Sequence, residues 1–269
     1  MPELPEVETI VRSIRQKIIH RKVSDTIVRQ RSLRYKITPN IKKILDGQET
    51  HEISRRAKYI LIKLDKGFLI MHLGMSGSIK ITDAAEPVEK HDHFDLVFDD
   101  LILRYNDPRR FGCILWEKDI ETSRLLTKLG VEPLSDKFNG DYLYKITRGR
   151  RKNIKQFIMD AENLVGVGNI YASEALWKSC IAPDKAADAC SIKQCELLVQ
   201  FIKNTLESAI LSGGTTIKDF KSTDGKLGYF ARELQVYGKE GEPCPRCNSI
   251  IKRIVLGQRS SFYCTNCQT

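Results

Sequence analysis

The sequence predicts an α+β protein with two domains and a small metal-stabilised module at the C-terminus. Three patterns support this architecture: an amphipathic helix at the start, short alternating segments up to about residue 116, and helical periodicity from about residue 150 onward. A chain of 269 residues is long enough for each of two domains to bury its own core. The hydrophobic content of 41% fits a globular protein.

The first helix is predicted from about Pro5 to Ile19. Proline suits the first helical position, where no backbone N–H is needed, and Glu6 and Glu8 place negative charge in the first turns. One face of this helix is apolar and carries Val7, Ile10, Val11, Ile14 and Ile18. Such a helix anchors the N-terminus of the chain.

The segments that follow alternate apolar and polar residues and are separated by turn sequences. The predicted strands are residues 26–29, 59–64, 68–72, 78–81, 94–98 and 101–105. Many short antiparallel strands imply a β-sandwich or a barrel, which we assign to an N-terminal domain of residues 1–131.

A linker over residues 132–150 is predicted from Pro133, Ser135, Asn139 and Gly140. The periodicity then becomes helical. Predicted helices cover residues 153–160, 170–178 and 191–211 within a domain of residues 151–230, and residues 231–269 form the terminal module. The stretch from Gly213 to Gly228 has little apolar content, which favours a functional loop.

The charge of the chain is strongly positive. Lys and Arg number 44 against 34 Asp and Glu, which gives a net charge of +10. This excess indicates a polyanionic partner, and nucleic acid is the commonest one. No basic amphipathic helix or lipidation motif favours a membrane surface. No apolar run of membrane-spanning length and no signal peptide occurs, so we expect a cytoplasmic protein.

Four of the eight cysteines form a metal-ligand pattern. Cys244 and Cys247 form one C-x2-C pair, and Cys264 and Cys267 form a second pair after sixteen intervening residues. This spacing is typical of a four-cysteine zinc site, and two disulfides are the alternative. Few residues of this segment can form a core, so the metal is expected to hold its fold.

The first eight residues carry more chemistry than a helix start requires. Removal of Met1, which is usual before a small residue, exposes the secondary amine of Pro2 beside the carboxylate of Glu3. The positive end of the helix favours a neutral amine, a nucleophile, whereas nearby glutamates favour its protonated form. The residues alone leave open whether this is a reactive site or a capped helix start.

A second candidate site lies in the helical region. The glycine-bearing turn 164–169 joins two predicted helices, and a basic run that includes Arg148 and Arg150 lies upstream. Helix pairs of this kind dock on DNA, and Asn169 could bind a phosphate at the helix start. The alternative is that Asn169 only caps the second helix.

Several motifs in order along the chain carry a family resemblance. They are PELPEV at 2–7, RRAKY at 55–59, HLGMSG at 72–77, KHDHFDL at 90–96, DPRRFG at 107–112, LVGVGNIYASEALW at 164–177 and the four-cysteine finger. Together they resemble bacterial formamidopyrimidine-DNA glycosylase, a bifunctional base-excision repair enzyme. The resemblance implies an N-terminal β-sandwich with its helix, a helical helix-two-turn-helix domain and one structural zinc ion.

The resemblance also implies roles for the N-terminal residues. Pro2 would attack C1′ of the damaged nucleotide, expel an oxidised purine and cleave the strand by β,δ-elimination through an iminium intermediate. Glu3 would act as general acid and base, and Glu6 would hold the terminus. Lys58, on the strand that starts in RRAKY, would supply positive charge beside the sugar and phosphate.

Further residues are implied to bind DNA. Met75, Arg109 and Phe111 would fill the gap left by the flipped base, although without the resemblance Met75 and Phe111 would be interpreted as core residues. The other implied contacts are Asn169 and Arg259 on phosphates, Lys155 near the lesion pocket, the loop from Thr215 to Tyr229 over the extruded base, and His91 and Arg110 on DNA. The expected partner is duplex DNA with an oxidised purine, bound by a monomer in the cytoplasm and at the nucleoid of a bacterium.

Two alternative functions remain at this stage. The related endonuclease VIII branch removes oxidised pyrimidines, but its terminus usually reads PEGPE, and Leu4 and DPRRFG favour the purine branch. A non-catalytic zinc-finger protein that binds DNA would explain the charge and the cysteines. It would have no use for Pro2 and its neighbouring carboxylates.

Overall fold

A computed structural model describes residues 2–214 and 230–269. These residues divide into two compact units: residues 2–127 with 212–214 and 230–231, and residues 128–211 with 232–269. The division falls a few residues before the predicted end of the N-terminal domain at residue 131. The predicted closing loop, Thr215 to Tyr229, lies outside the described residues.

The first unit contains two helices and eight strands. The helices are α1 (Leu4–Ile18) and α2 (Ile41–Leu45), and the strands are β1 (Asp25–Val28), β2 (Thr50–Arg56), β3 (Tyr59–Leu64), β4 (Gly67–His72), β5 (Ser78–Thr82), β6 (Asp92–Val97), β7 (Ile102–Asn106) and β8 (Cys113–Glu117). The six predicted strands and the first helix are present within three residues at each end. β2, β8 and α2 were not predicted, since β2 is rich in charged residues and α2 is a single short turn.

The strands of this unit form a β-sandwich. One antiparallel sheet has the order β1-β6-β7-β5 and the other the order β2-β3-β4-β8. Both sheets contribute to one core, for example Ile60 and Met71 from one and Phe94 and Leu103 from the other. The apolar face of α1 belongs to the same core, and burial of such a face stabilises a helix more than its intrinsic propensity does. The barrel alternative is therefore wrong.

The second unit is helical and ends in a β-hairpin. Its elements are α3 (Gly140–Thr147), α4 (Ile154–Ile158), α5 (Asn169–Lys178), a 3₁₀ turn (Ala187–Ala189), α6 (Ile192–Leu211), β9 (Ile251–Leu256) and β10 (Arg259–Cys264). A further 3₁₀ turn, Phe230–Glu233, has residues in both units. The predicted helices correspond to α4, α5 and α6. No helix of residues 2–214 or 230–269 is long and apolar enough to cross a membrane.

The segment 132–150 is more than the predicted linker, because it contains α3. Asn139 and Gly140 suggested a loop, yet they begin this helix: Asn139 is the N-cap, and its Oδ1 accepts from Tyr142 N at 2.9 Å. Asparagine is common in loops and at N-caps for the same reason, since its short side chain bonds to nearby backbone. Leu143 of α3 is buried in the second unit.

Candidate functional site

The N-terminus is fixed by a reciprocal pair of glutamates. Pro2 is buried at the start of α1, and Glu3 is its N-cap. Glu3 N donates to Glu6 Oε2 at 2.8 Å, while the Glu3 carboxylate accepts from Glu6 N. This capping box satisfies two backbone donors of the first turn. It leaves both carboxylates, which are almost fully buried, directly beside the proline.

An arginine from the RRAKY motif connects α1 to the turn that carries Lys58. Arg55 Nε donates to Glu8 Oε2 at 3.0 Å, and its Nη1 donates to the carbonyl of Ala57 at 2.8 Å. Burial raises the pKa of Glu8, but hydrogen bonds from Arg12 and Arg55 outweigh it and hold that pKa below its usual value. Lys58 lies in the two-residue turn between β2 and β3, next to Ala57 in the left-handed region (φ 55°), and not on a strand.

A neutral histidine lies at the end of β4 close to Lys58. His72 Nδ1 accepts from Gly74 N at 2.9 Å, so the proton of the neutral ring is on Nε2. Burial, together with the charges of Lys58 and Arg34, lowers the pKa of His72 to about 4. The ring packs on Tyr59 with a centroid distance of 4.8 Å. His72 is thus an uncharged N–H donor at neutral pH.

Two turns of the first unit are joined by a buried aspartate. Asp107 Oδ1 accepts from Ser76 Oγ at 2.9 Å, and its Oδ2 accepts from Gly112 N at 2.9 Å. The turns approach so closely at Gly74 (φ 61°) that an added Cβ would lie 2.5 Å from Gly112 N. The HLGMSG and DPRRFG motifs therefore form one rigid surface, although they are separate segments of the sequence.

That surface presents apolar side chains to solvent. Met75 and Phe111 are 37% and 45% exposed, so their interpretation as core residues is wrong. The Arg109 guanidinium stacks over the Phe111 ring at 4.6 Å. Arg110, between them, is held in the left-handed region (φ 54°) by its N–H bond to the carbonyl of Asp107 at 3.1 Å.

His91 lies next to the same turn. Its carbonyl accepts from Asp107 N at 3.1 Å, and its partly exposed ring is 6.3 Å from that of His93. His93 is buried instead, with Nε2 2.9 Å from the carbonyl of Asp107. The two histidines of the KHDHFDL motif thus have different environments, and only His91 is available at the surface.

In the second unit, the start of α5 is bonded to the terminal hairpin. Asn169 is the first residue of α5 and not its cap, which is Gly168. Its Nδ2 donates to the carbonyl of Ser260 at 3.0 Å, and its Oδ1 is buried without a hydrogen-bond partner in the described part of the chain. The capping interpretation of Asn169 is therefore wrong.

Lys155 also bonds to the terminal hairpin at Ser260 and Ser261. Only 1% of it is exposed, and its Nζ donates to Ser261 Oγ at 2.7 Å and to the carbonyl of Ser260 at 3.1 Å. The ammonium therefore holds α4 and the hairpin together. Arg259, the first residue of β10, is exposed just after a tight turn in which Gly257 and Gln258 both have positive φ.

The four finger cysteines converge as metal ligands. Their sulfurs lie within 4.8 Å of one another, with Cys244 and Cys267 at 4.0 Å and Cys247 and Cys264 at 3.5 Å. A zinc ion with Zn–S bonds of about 2.3 Å separates its sulfurs by about 3.8 Å, whereas a disulfide needs about 2.05 Å. Hydrogen bonds from Ser249 and then Asn266 lower the pKa of Cys247 to about 5, whereas burial and the neighbouring sulfurs raise the pKa of Cys264 and of Cys267, because four sulfurs this close cannot all be thiolates without a cation between them. The arrangement fits a structural zinc ion and not two disulfides.

Comparison with known families covers nearly the whole chain. Residues 1–114 match the formamidopyrimidine-DNA glycosylase N-terminal domain, residues 129–221 match the H2TH domain of the same enzyme, and residues 241–269 match a zinc finger found in FPG and IleRS. Formamidopyrimidine-DNA glycosylase of Glaesserella parasuis is 50% identical over 271 residues, covering 100% of this chain and 98% of that protein. The Escherichia coli enzyme is 49% identical over 269 residues, covering 100% of both chains.

The chain belongs to the formamidopyrimidine-DNA glycosylase family. The predicted enzyme class, a DNA-repair glycosylase with a zinc finger, is confirmed. Solved relatives have the same fold: wild-type Lactococcus lactis Fpg in complex with N7-benzyl-Fapy-dG DNA has a TM-score of 0.92 at 34% identity, with 100% of both chains covered. The L. lactis Fpg complex with abasic-site DNA has a TM-score of 0.92 at 33% identity, with 99% of both chains covered.

Within this glycosylase fold, some residues that position the site were not predicted. Glu174 of α5 is buried and its carboxylate accepts from three successive backbone N–H groups, those of Gln235, Val236 and Tyr237, at 2.9 to 3.0 Å. It thereby attaches α5 to the segment that leads into the finger. Arg55, His72, Asp107 and Glu174 all lie in the quoted motifs, but only their three-dimensional partners identify what they do.

Proposed function

We propose that this chain removes oxidised purines from duplex DNA and then cleaves the strand, with the amine of Pro2 as nucleophile. As a member of its family, it is a base-excision DNA glycosylase for oxidised purines, in a family that also has AP lyase activity. The observation that carries the catalytic assignment is the pair of buried carboxylates, Glu3 and Glu6, beside the buried Pro2. A helix start needs a cap, but it does not need two buried acids around a secondary amine.

The chemistry begins when the Pro2 nitrogen bonds to C1′ and the bond from C1′ to the base breaks. The base leaves with a proton from a general acid, a role we assign to Glu3. The amine then loses its proton and the sugar ring opens, so that O4′ gains a proton and a cationic iminium joins Pro2 to C1′. This cation accepts electrons: loss of a C2′ proton expels the 3′ phosphate, and a second elimination expels the 5′ phosphate.

Lys58 contributes a positive charge to the site, and His72 contributes an uncharged hydrogen-bond donor. We assign Lys58 to the phosphate and sugar beside the lesion, where a positive charge stabilises developing negative charge. Arg55 holds the turn before Lys58 through the carbonyl of Ala57. His72 adds a donor without adding charge, because its pKa lies well below neutral pH.

The Met75, Arg109 and Phe111 surface is assigned to the gap left by the flipped base. Extrusion of a nucleotide costs a few kcal/mol, and apolar side chains that enter the stack offset part of this cost. Exposure of Met75 and Phe111 on a rigid pair of turns supports this role, since both are free to enter the stack. Arg109, stacked on Phe111, would read the orphaned base with its guanidinium and favour cytosine.

The second unit is assigned to the DNA backbone. Arg259 and the start of α5 at Asn169 would hold phosphates around the flipped nucleotide. Lys155 is assigned a positioning role, because its buried ammonium supports the hairpin that carries Arg259. When zinc is bound, it fixes the finger fold without an open coordination position for catalysis. In the first unit, His91 and Arg110 would contribute further backbone contacts.

Borohydride trapping tests the proposal. An iminium between Pro2 and a lesion-bearing duplex is reduced to a stable covalent adduct, and Pro2→Gly should strongly reduce this adduct. Arg259→Ala is the matched variant, because it keeps the amine and is expected to lose phosphate binding. If the wild-type chain forms no adduct, the assignment of Pro2 as the covalent nucleophile fails. Mass spectrometry of the same sample should find Met1 removed, since an intact Met1 blocks the amine.

The choice between oxidised purines and oxidised pyrimidines is tested by measuring excision rates, not DNA binding. A solved L. lactis Fpg complex contains an oxidised pyrimidine in its DNA, so binding of such DNA occurs within this family. We expect faster excision of 8-oxoguanine opposite cytosine than of thymine glycol. Faster removal of thymine glycol would assign the chain to the pyrimidine-lesion activity instead.

The assembly and location of the protein are also proposals. We infer that it acts as a monomer in the cytoplasm and associates with the nucleoid through its positive charge. Light scattering on the chain with and without a lesion duplex should give one protein per duplex. A two-protein complex would contradict the monomer.

A further inference from the structure

Three ligand-type side chains converge at the far end of α1 from Pro2. His20 follows this helix, and Glu49 and His51 lie at the start of β2. Their ligand atoms lie within 4.8 Å of one another. Glu49 Oε1 is the common neighbour, 3.5 Å from His20 Nδ1 and 4.0 Å from His51 Nδ1. The side chains of His20, Glu49 and His51 are 70%, 46% and 41% exposed, so an ion from solution can reach them.

The backbone holds these residues in register. His20 has a left-handed conformation (φ 58°), and its N–H donates to the carbonyl of Thr50 at 2.7 Å. In return, Thr50 N donates to the carbonyl of Arg21 at 3.0 Å. Since Thr50 lies between Glu49 and His51, these two bonds fix the segment of His20 against both other residues. The cluster therefore depends on paired backbone and not on flexible side chains alone.

An aspartate behind the cluster orients one of the imidazoles. His51 Nε2 lies 2.6 Å from Asp65 Oδ1, and Asp65 Oδ2 accepts from Glu49 N at 2.9 Å. With its proton on Nε2, a neutral His51 turns the lone pair of Nδ1 toward the Glu49 carboxylate. A cation between them would stabilise this arrangement. A carboxylate that bonds to the distal nitrogen of a metal-binding histidine is a common feature of protein metal sites.

We propose that His20, Glu49 and His51 bind a divalent first-row transition-metal ion through two imidazole nitrogens and one carboxylate oxygen. Two ligands at about 2.1 Å from one ion lie roughly 3.0–3.4 Å apart, so small rotations of exposed side chains close the observed gaps. Imidazole favours Zn²⁺, Ni²⁺ or Cu²⁺ over Mg²⁺ and Ca²⁺. Water completes the coordination.

Such an ion would join the end of α1 to β2. A positive charge at this place is favourable, because the C-terminal end of a helix carries a partial negative charge. Binding to the folded state alone would stabilise the first unit. The site goes beyond the DNA chemistry proposed above and does not depend on it.

The test uses the full chain with its finger already loaded with zinc, checked by metal analysis before and after titration. Calorimetric titration with Ni²⁺ should reveal one further ion per chain. His51→Gln and Glu49→Gln should each weaken this binding at least tenfold. Glu52→Gln, an exposed neighbour on β2 outside the cluster, should leave it unchanged. Saturating Ni²⁺ should raise the melting temperature of the wild type and not that of His51→Gln.

Two results would overturn the proposal. One is the absence of any Ni²⁺ site beyond the finger in the wild type. The other is a site that survives both substitutions with unchanged affinity, which would place the ion on other histidines. Melting curves recorded without Ni²⁺ show whether each variant is folded, so loss of binding cannot be confused with unfolding.

Discussion

Glu3 and Glu6 cap each other across the first turn of α1, with Glu3 N donating to Glu6 Oε2 at 2.8 Å and the Glu3 carboxylate accepting from Glu6 N. Glu6→Ala removes one half of this box and should lower the free energy of unfolding by about 1 kcal/mol, the usual cost of a lost cap. It should also reduce borohydride trapping, because the bond from Glu3 N to Glu6 Oε2, which holds the segment next to Pro2, is lost. Glu6→Gln keeps an acceptor and should retain stability and much of the trapping. Equal loss of trapping in both variants would mean that the charge of Glu6, and not its position, matters.

Arg55 is expected to position Lys58. Arg55→Gln loses the bonds to Glu8 and to the carbonyl of Ala57, and a small displacement of a catalytic group can cost up to about 100-fold in rate. We expect single-turnover cleavage of an abasic duplex to slow at least tenfold. Arg12→Gln removes the other arginine bond to Glu8, but Arg12 is 56% exposed and its variant should change the rate little. A similar slowing in both variants would place the effect on Glu8.

Phe111 should matter for base extrusion and not for folding. Phe111→Ala removes an exposed ring, so the free energy of unfolding should change by less than about 0.5 kcal/mol. Excision of 8-oxoguanine should fall more than cleavage of an abasic site, where no base has to leave the stack. Leu73 lies in the neighbouring HLGMSG turn and is buried, so Leu73→Ala should instead cost about 2–5 kcal/mol of stability. An equal loss on both DNA substrates would contradict the void-filling role of Phe111.

The lowered pKa of His72 predicts that the folded state is sensitive to acid. This pKa is lowered to about 4 in the folded state, while an unfolded histidine has a pKa of about 6.5. Between these values the unfolded chain binds more protons, so stability should fall as the pH decreases from about 6.5 to 4. His72→Gln should reduce the difference between urea midpoints measured at pH 7 and pH 5. His91→Gln, at a partly exposed ring, provides the control and should leave that difference unchanged.

Lys155 and Arg259 should differ in the salt dependence of DNA binding. Each phosphate contact contributes about 0.9 to the slope of log affinity against log salt. Arg259→Ala should lower the slope by about that amount. Lys155→Met should weaken binding with an unchanged slope, because the Lys155 ammonium bonds to Ser260 and Ser261 inside the protein. A reduced slope for Lys155→Met would show that Lys155 reaches a phosphate.

The sequence by itself determined the family, a first domain of short antiparallel strands with its leading helix, and the zinc ligands. These features depend on local patterns: a 3.6-residue apolar period in α1, alternation in most strands, and cysteine spacing. The same local reasoning mistook Asn139 and Gly140 for a linker, because asparagine has equal use in a loop and at a helix N-cap. It also missed β2 and β8, the two edge strands of their sheet, each of which pairs with a single neighbour.

Only the tertiary structure decided how the candidate site residues are held. Ser76 and Asp107 are 31 residues apart, and Lys155 and Ser261 are 106 apart, yet each pair is within 2.9 Å. No periodicity encodes such contacts, since they depend on where the fold brings distant segments together. The same holds for the exposure of Met75 and Phe111 and for the convergence of His20, Glu49 and His51. Sequence names the reactive groups, and packing of distant backbone determines their neighbours, their burial and therefore their chemistry.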